Sequence, residues 1–310
     1  MGRVAIRLAR AAVFLGIAIA PLVARAGACE DLPVSLDVTD TEITLAQSVP
    51  GGAFAAPDGA TYGSLPAFCR VAGVSHPTKQ SSIGFEVWLP TDSRNQKFQG
   101  VGNGGLAGAV LYAPLALALQ QGYATAATDD GHAGSSPLWL GNYEQLVDFG
   151  TRAVHTTTWI GKRIVRAFYG ERPTASYFVG CSEGGREALI EAQRFPGDYD
   201  GIIAGDSFLF LAPGVGHCNG GPGPNAFGIS GQPPVPYDDR HSLIAALDRW
   251  VTRGVPPSRI IATKFVNDDP SQGIATTRPL CPYPQVAIYA GHGDTNSAGN
   301  FRCGDRSDED

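Results

Sequence analysis

A serine hydroxyl becomes a nucleophile when a sharp turn lifts it clear of its neighbours and a base stands by to take its proton. Gly180-Cys181-Ser182-Glu183-Gly184 has the Gly-x-Ser-x-Gly form of such a turn. With 40 glycines in 310 residues, that spacing alone carries little weight. Its flanks carry more. Ala175 to Val179 is apolar and rich in aromatic and β-branched residues, which predicts a short buried strand. Glu187 to Arg194 reads as a helix, with Ala188, Leu189 and Ala192 on one side. Strand, turn and helix together are the setting of a nucleophile elbow, and a helix start behind the serine favours developing negative charge.

The candidate base is His217. Cys181 directly precedes the serine and Cys218 directly follows the histidine. A Cys181–Cys218 disulfide would hold the two backbones together, since bonded cysteines have Cα atoms about 5.5–6 Å apart. A second glycine-rich stretch, Gly102-Asn-Gly-Gly-Leu-Ala-Gly108, follows a short apolar run at Phe98 to Val101. Its glycines allow the backbone to approach a bound ester closely. It lacks the Gly-Lys-Ser/Thr of a phosphate loop.

These segments resemble the tannase and feruloyl esterase family. The likeness runs through Gly180-Cys-Ser-Glu-Gly-Gly-Arg186, Glu191-Ala-Gln-Arg-Phe-Pro196, Asp200-Gly-Ile-Ile-Ala-Gly205 and Pro213-Gly-Val-Gly-His-Cys-Asn-Gly-Gly221. Arg278-Pro-Leu-Cys-Pro-Tyr-Pro284, Tyr289 and Asn300-Phe-Arg-Cys303 resemble the family's C-terminal segment. The resemblance implies a secreted α/β-hydrolase that cleaves carboxylic esters, with esters of aromatic acids as the expected substrates. Ser182 would be the nucleophile and His217 the base. The N–H of Glu183 and one from the Gly104–Gly105 region would form the oxyanion hole. Asp129-Asp130-Gly131-His132 matches a family loop that builds the site rather than performing its chemistry.

The departures from the family pattern are as specific as the matches. In the family, a lid domain and a strand bearing the catalytic aspartate separate the Ile-Ile-Ala-Gly segment from the histidine segment. Here the two segments nearly adjoin. The lid and the acid-bearing strand are therefore expected to be absent, and with them the lid's share of the pocket and its calcium site. Asp206 is the nearest carboxylate that could orient His217; Asp200, Asp238 and Asp239 are the other candidates.

Composition sets the outer bounds. The chain is 43% hydrophobic and 17% charged with a net charge of -6, which suits one globular α/β domain and leaves no basic footprint for nucleic acid. Arg3, Arg7 and Arg10 precede an apolar run from Ala11 to Ala24, and Ala24-Arg-Ala26 and Ala26-Gly-Ala28 offer small-residue cleavage sites. Residues 1–28 are thus expected to be a signal peptide, and the protein to be secreted or periplasmic without a lasting membrane span. All six cysteines lie beyond it, an even count that reads as disulfides in an oxidising compartment. Six cysteines allow 15 pairings. Pairing of sequence neighbours, which the family pattern supports, implies Cys29–Cys69, Cys181–Cys218 and Cys281–Cys303. No Cys-x-x-Cys pair points to a metal.

The elements that must position these residues follow from periodicity. Residues 29–80 read as a β-rich lead-in. Strands are expected at 83–89, 98–101, 123–127, 175–179, 201–204, 208–212 and 260–265, and helices at 110–121, 143–169, 187–194 and 242–251. Alternation of strand and helix predicts a mostly parallel sheet with helices on both faces: one α/β-hydrolase-like domain over 29–310, with a frayed acidic tail at 304–310. About three residues between strands 201–204 and 208–212 are too few for a parallel crossover. The function this supports is ester hydrolysis through a Ser-His acyl-enzyme, without cofactor or metal, on a small-molecule ester. The alternative is an impaired relative that at most binds ester or phenolic ligands. A peptidase or lipase on the same fold is a further rival.

Overall fold

The computed structural model describes residues 28–36, 38–134, 140–205, 215–282 and 284–305. The expected signal peptide lies outside them except for Ala28, as do Asp206 and the expected strand at 208–212. Among the described residues, no helix is long and apolar enough to cross a membrane.

Thirteen strands are described: β1 (Thr41–Val49), β2 (Gly52–Ala55), β3 (Thr61–Leu65), β4 (Phe68–Ser75), β5 (Ile83–Pro90), β6 (Phe98–Val101), β7 (Ala124–Thr128), β8 (Ser176–Cys181), β9 (Gly201–Gly205), β10 (Ile260–Phe265), β11 (Ile274–Leu280), β12 (Val286–Tyr289) and β13 (Phe301–Gly304). The α-helices are α1 (Leu32–Ser35), α2 (Tyr112–Gln120), α3 (Tyr143–Val147), α4 (Ala153–Tyr169), α5 (Glu183–Arg194) and α6 (Leu243–Arg253). Seven strands form the central sheet in the order β1-β4-β5-β7-β6-β8-β9. Strands β7, β6, β8 and β9 run parallel, while β1, β4 and β5 extend the sheet antiparallel. The β-rich lead-in thus supplies two strands of the main sheet itself. This is an α/β-hydrolase-type sheet.

Period-two alternation feeds two hydrophobic layers from the same strands. Val87, Ala126 and Phe178 face α4, where Ile160, Ile164 and Phe168 cover them. Their neighbours Trp88, Ala127 and Tyr177 face Leu115 and Leu119 of α2 and Ile244 of α6. Helices on both faces explain why β6 and β7 are buried along their whole length.

Two helices differ from the sequence expectation. The long pattern at 143–169 is divided by a five-residue π-turn, Asp148–Arg152, between α3 and α4. Buried Asp148 accepts from Ser81 there and pairs with Arg152. Helix α5 begins at Glu183, four residues before the predicted start. Gly184 and Gly185 are poor helix formers, so propensity argues for a later start; packing of the first turn overrides it. Gly304, the first residue of the expected tail, belongs to a strand. Gly304 is buried and pairs with Val286 in the β12–β13 hairpin, Asp305 is exposed, and 306–310 lie outside the described residues.

The three disulfides link Cys29–Cys69, Cys181–Cys218 and Cys281–Cys303. One buried polar knot joins the antiparallel half of the sheet to α2. Glu86 accepts from Arg70 Nε at 2.9 Å, Trp88 Nε1 at 2.7 Å and Tyr112 Oη at 2.8 Å. Glu86→Ala would leave the largely buried Arg70 guanidinium uncompensated, and removal of one partner of such a pair costs about 3–5 kcal/mol. A urea titration followed by circular dichroism should show that loss; a change under 1 kcal/mol, by the same rule for exposed pairs of roughly 0–1 kcal/mol, would mean that Arg70 is solvated in solution.

Candidate active site

Strand β8 ends at Cys181, and Ser182 turns the chain into α5 with φ 61° and ψ -117°. A non-glycine residue held in this sparsely populated region stores strain, which persists only where the surroundings over-determine it. Three backbone bonds do so. Ser182 N–H donates to Gly205 O at 3.1 Å, Ser182 O accepts from Arg186 N–H at 3.1 Å, and Gly184 N–H donates to Asn103 O at 2.9 Å. The turn closes only because three backbones nearly touch. A Cβ on Gly180 would lie 2.0 Å from Gly184 O, and one on Gly102 would lie 2.4 Å from Gly184 Cα.

The glycine loop 102–108 is held against this turn. Asn103 is buried; its N–H donates to Glu187 Oε2 at 3.0 Å and its Nδ2 to Thr128 O at 2.7 Å. His132 Nε2 lies 2.7 Å from Leu106 O, so the Asp129–His132 loop supports the glycine loop from behind. Among the described residues, the amides of Gly104, Gly105 and Glu183 have no acceptor. Gly105 reaches φ 64°, a conformation that glycine adopts without penalty.

A cleft of about 330 Å³ opens over the serine. It is lined by Ser182, the glycine loop, His217, Cys218 and Asn219, with Leu111, Leu117, Val179 and Ile244 forming apolar walls. The Cys181–Cys218 bond, with Cα atoms 6.1 Å apart, ties the elbow strand to the histidine segment. Among the described residues, no charged side chain lines the cleft. The other acid candidates are engaged elsewhere. Asp200 accepts from Ser176 N–H at 2.7 Å, Asp238 pairs with His241 at 2.8 Å, and Asp239 with Arg249. Asp206 follows Gly205 in the sequence, and Gly205 pairs with Cys181 and accepts from the Ser182 amide; Asp206 itself lies outside the described residues.

Beneath the elbow is a carboxylate cluster that sequence reasoning missed. Asp130, Glu183 and Glu187 are all buried with their oxygens within 4.8 Å of one another. Arg186 offsets part of this charge. It donates to Glu183 Oε1, Gly150 O and Phe149 O and lies 3.9 Å from Asp130. The π-turn carbonyls therefore serve to hold the arginine. Burial raises both remaining carboxyls: Asp130 goes well above its usual range, reinforced by the charge of Glu187, and Glu187 goes up to about 7. Both carboxyls are packed behind the glycine loop, where Glu187 Oε2 accepts from the Asn103 amide.

The chain matches the model of the family described as tannase and feruloyl esterase over residues 69–208 and 206–304, two segments that meet at the predicted junction. An uncharacterized esterase of Xanthomonas campestris pv. campestris is 26% identical over 526 aligned positions, covering 90% of this chain and 91% of the relative. That alignment is longer than the 310-residue chain, so a long stretch of the relative has no counterpart here. Feruloyl esterase B of Aspergillus niger is 42% identical over 142 residues, 46% of this chain but only 27% of the relative. The crystal structure of feruloyl esterase B from Aspergillus oryzae superposes with a TM-score of 0.81 at 19% identity, covering 89% of this chain and 99% of that one, and shows the same fold. Fold and elbow define an α/β-hydrolase-type protein. The chain belongs to the tannase and feruloyl esterase family.

The buried carboxyl has a thermodynamic signature. Raising the Glu187 carboxyl from 4.5 to about 7 in the folded state means that the folded chain binds the proton more tightly than the unfolded one. Stability then falls as pH rises from 4.5 to about 7, and the loss is complete above that. Glu187→Gln keeps an acceptor for Asn103 N–H but does not ionise. Its melting temperature is expected to fall less steeply than wild type between pH 5 and 8 in differential scanning fluorimetry; parallel profiles would exclude a buried proton at this position.

Proposed function

We propose that this protein is an exported serine carboxylic ester hydrolase acting on small neutral esters, with aromatic acyl esters as the substrate class. The observation that carries the reading is Ser182 on a strained strand-to-helix turn, sharing one cleft with His217 through the Cys181–Cys218 bond. Ser182 Oγ attacks the ester carbonyl while His217 takes its proton. The oxyanion is received by the Glu183 amide and by Gly104 or Gly105, whose N–H groups have no other acceptor among the described residues. Collapse breaks the C–O bond, and His217 returns the proton to the departing alcohol. Water then attacks the acyl-serine by the same route in reverse. No cofactor takes part in these steps.

The substrate class has two supports. The described lining carries no charge, which favours a neutral ester over a phosphate or carboxylate ligand. Several relatives carry the name feruloyl esterase, although they match this chain over about a third of their length or less. Asp206 is assigned as the group that orients His217, because it directly follows the residue bonded to the Ser182 amide. Export is supported by the N-terminal Arg-rich and apolar pattern together with three disulfides.

Hydrolysis of an activated aryl ester and of methyl ferulate by the oxidised protein tests the proposal, with Ser182→Ala as the blank. Turnover is expected in the wild type and none above background in Ser182→Ala. A folded wild type no faster than that blank overturns the esterase reading and leaves a family member without its chemistry. Asp206→Asn is expected to lower kcat by up to about 10⁴-fold with KM little changed. Activity within a few-fold of wild type would remove Asp206 from the site.

A further inference from the structure

A second polar cluster lies apart from the cleft. His155 of α4, Glu191 of α5 and Asp198 of the turn after α5 bring one imidazole nitrogen and two carboxylate oxygens within 4.8 Å of one another. None of the three lines the cleft. Glu191 is in the last turn of α5, roughly 10–15 Å along the helix axis from Ser182 at helical rise.

Two members are oriented by their neighbours, and the third is left unsatisfied. The His155 ring is stacked on Phe195, centroids 3.9 Å apart and planes within 9°, which aims Nδ1 at Asp198 Oδ2 2.6 Å away. Glu191 is fully buried, and neither of its carboxylate oxygens has a hydrogen-bond partner. A carboxylate in that position is expensive unless it is paired or bound to a cation. The nearby cation does not bond to it. Lys162 Nζ donates to the Asp198 carbonyl and lies 5.2 Å above the Tyr199 ring. Burial, with Asp198 alongside, raises the Glu191 carboxyl to about 8.

We propose that His155, Glu191 and Asp198 form a binding site for a divalent transition-metal ion of the zinc class. One imidazole and two carboxylates give three ligands, and half-exposed His155 leaves the fourth position open to water. Calcium takes six to eight oxygens and would find too few here. Zinc bonds of about 2.0–2.2 Å set ligand atoms roughly 3–3.5 Å apart, so the His155–Asp198 contact opens slightly and Glu191 closes in. The bound ion would fill the unmet acceptor capacity of Glu191 and staple the end of α5 to α4. The cysteines take no part, since all six are in disulfides.

The experiment is calorimetric titration of ZnCl₂ into untagged, chelator-stripped full-length protein, with Co²⁺ absorption as an independent readout. One ion per chain and a raised melting temperature are expected. Even the outer partners of metal ligands are worth about 10–100-fold in affinity, so His155→Ala and Glu191→Gln should each weaken binding at least about tenfold. His241→Ala, which removes a histidine paired with Asp238 elsewhere, should leave it unchanged. His155 is partly exposed and Glu191→Gln preserves shape, and circular dichroism verifies that both variants fold. Wild type that takes up no zinc and gives only the aqueous Co²⁺ spectrum overturns the proposal. Uptake undiminished in both variants overturns it equally. Neither result depends on esterase activity.

Discussion

Everything at the candidate site depends on one contact without side chains. Gly102, Gly180 and Gly184 bring the glycine loop, the end of β8 and the first turn of α5 to distances that no Cβ would permit. That approach forces Ser182 into its strained conformation and lets the Asn103 carbonyl accept from the Gly184 amide. Because the helix starts at once, its first amides point toward the space above the serine. Loop and helix dipole are therefore aimed at one point without a charged group being placed in the cleft.

Close backbone contact leaves polar groups buried behind it, and the cluster of Asp130, Glu183, Arg186 and Glu187 satisfies most of them. Glu187 caps the Asn103 amide, and Arg186 pins α5 to the π-turn carbonyls. The π-turn is where the arginine docks, through the carbonyls of Phe149 and Gly150. Three carboxyls surround one guanidinium, and burial pushes those of Asp130 and Glu187 upward.

The disulfide between the residues flanking Ser182 and His217 gains importance from how the two segments are connected. The family pattern places a lid between them, whereas here the chain passes from Gly205 to Val215 in a short span. A covalent bond with Cα atoms 6.1 Å apart holds the histidine segment to the elbow strand irrespective of what lies between. The last two hairpins, β10–β11 and β12–β13, pack beyond the sheet, and a third disulfide links Cys281 to Cys303 in β13.

Much of this was legible in the sequence because it is local. Strand, glycine turn and helix around Ser182 lie within about twenty consecutive residues, and the cysteines adjoining Ser182 and His217 made their bond an expectation that the family resemblance supported. The amphipathic pattern of residues 242–251 likewise marks a helix before any partner is known. Tertiary structure decided what locality could not. Helix α5 starts at Glu183 despite two glycines, because Gly184 must meet Gly102 from a strand eighty residues earlier. Glu187 and Glu191 read as ordinary polar positions of an amphipathic helix. Only the sheet order, which sets α4 and the β7 loop beside α5, buries them next to Asp130 and beside His155 and Asp198. Burial of a charge depends on what the rest of the chain packs against it, and no window of neighbouring residues contains that information.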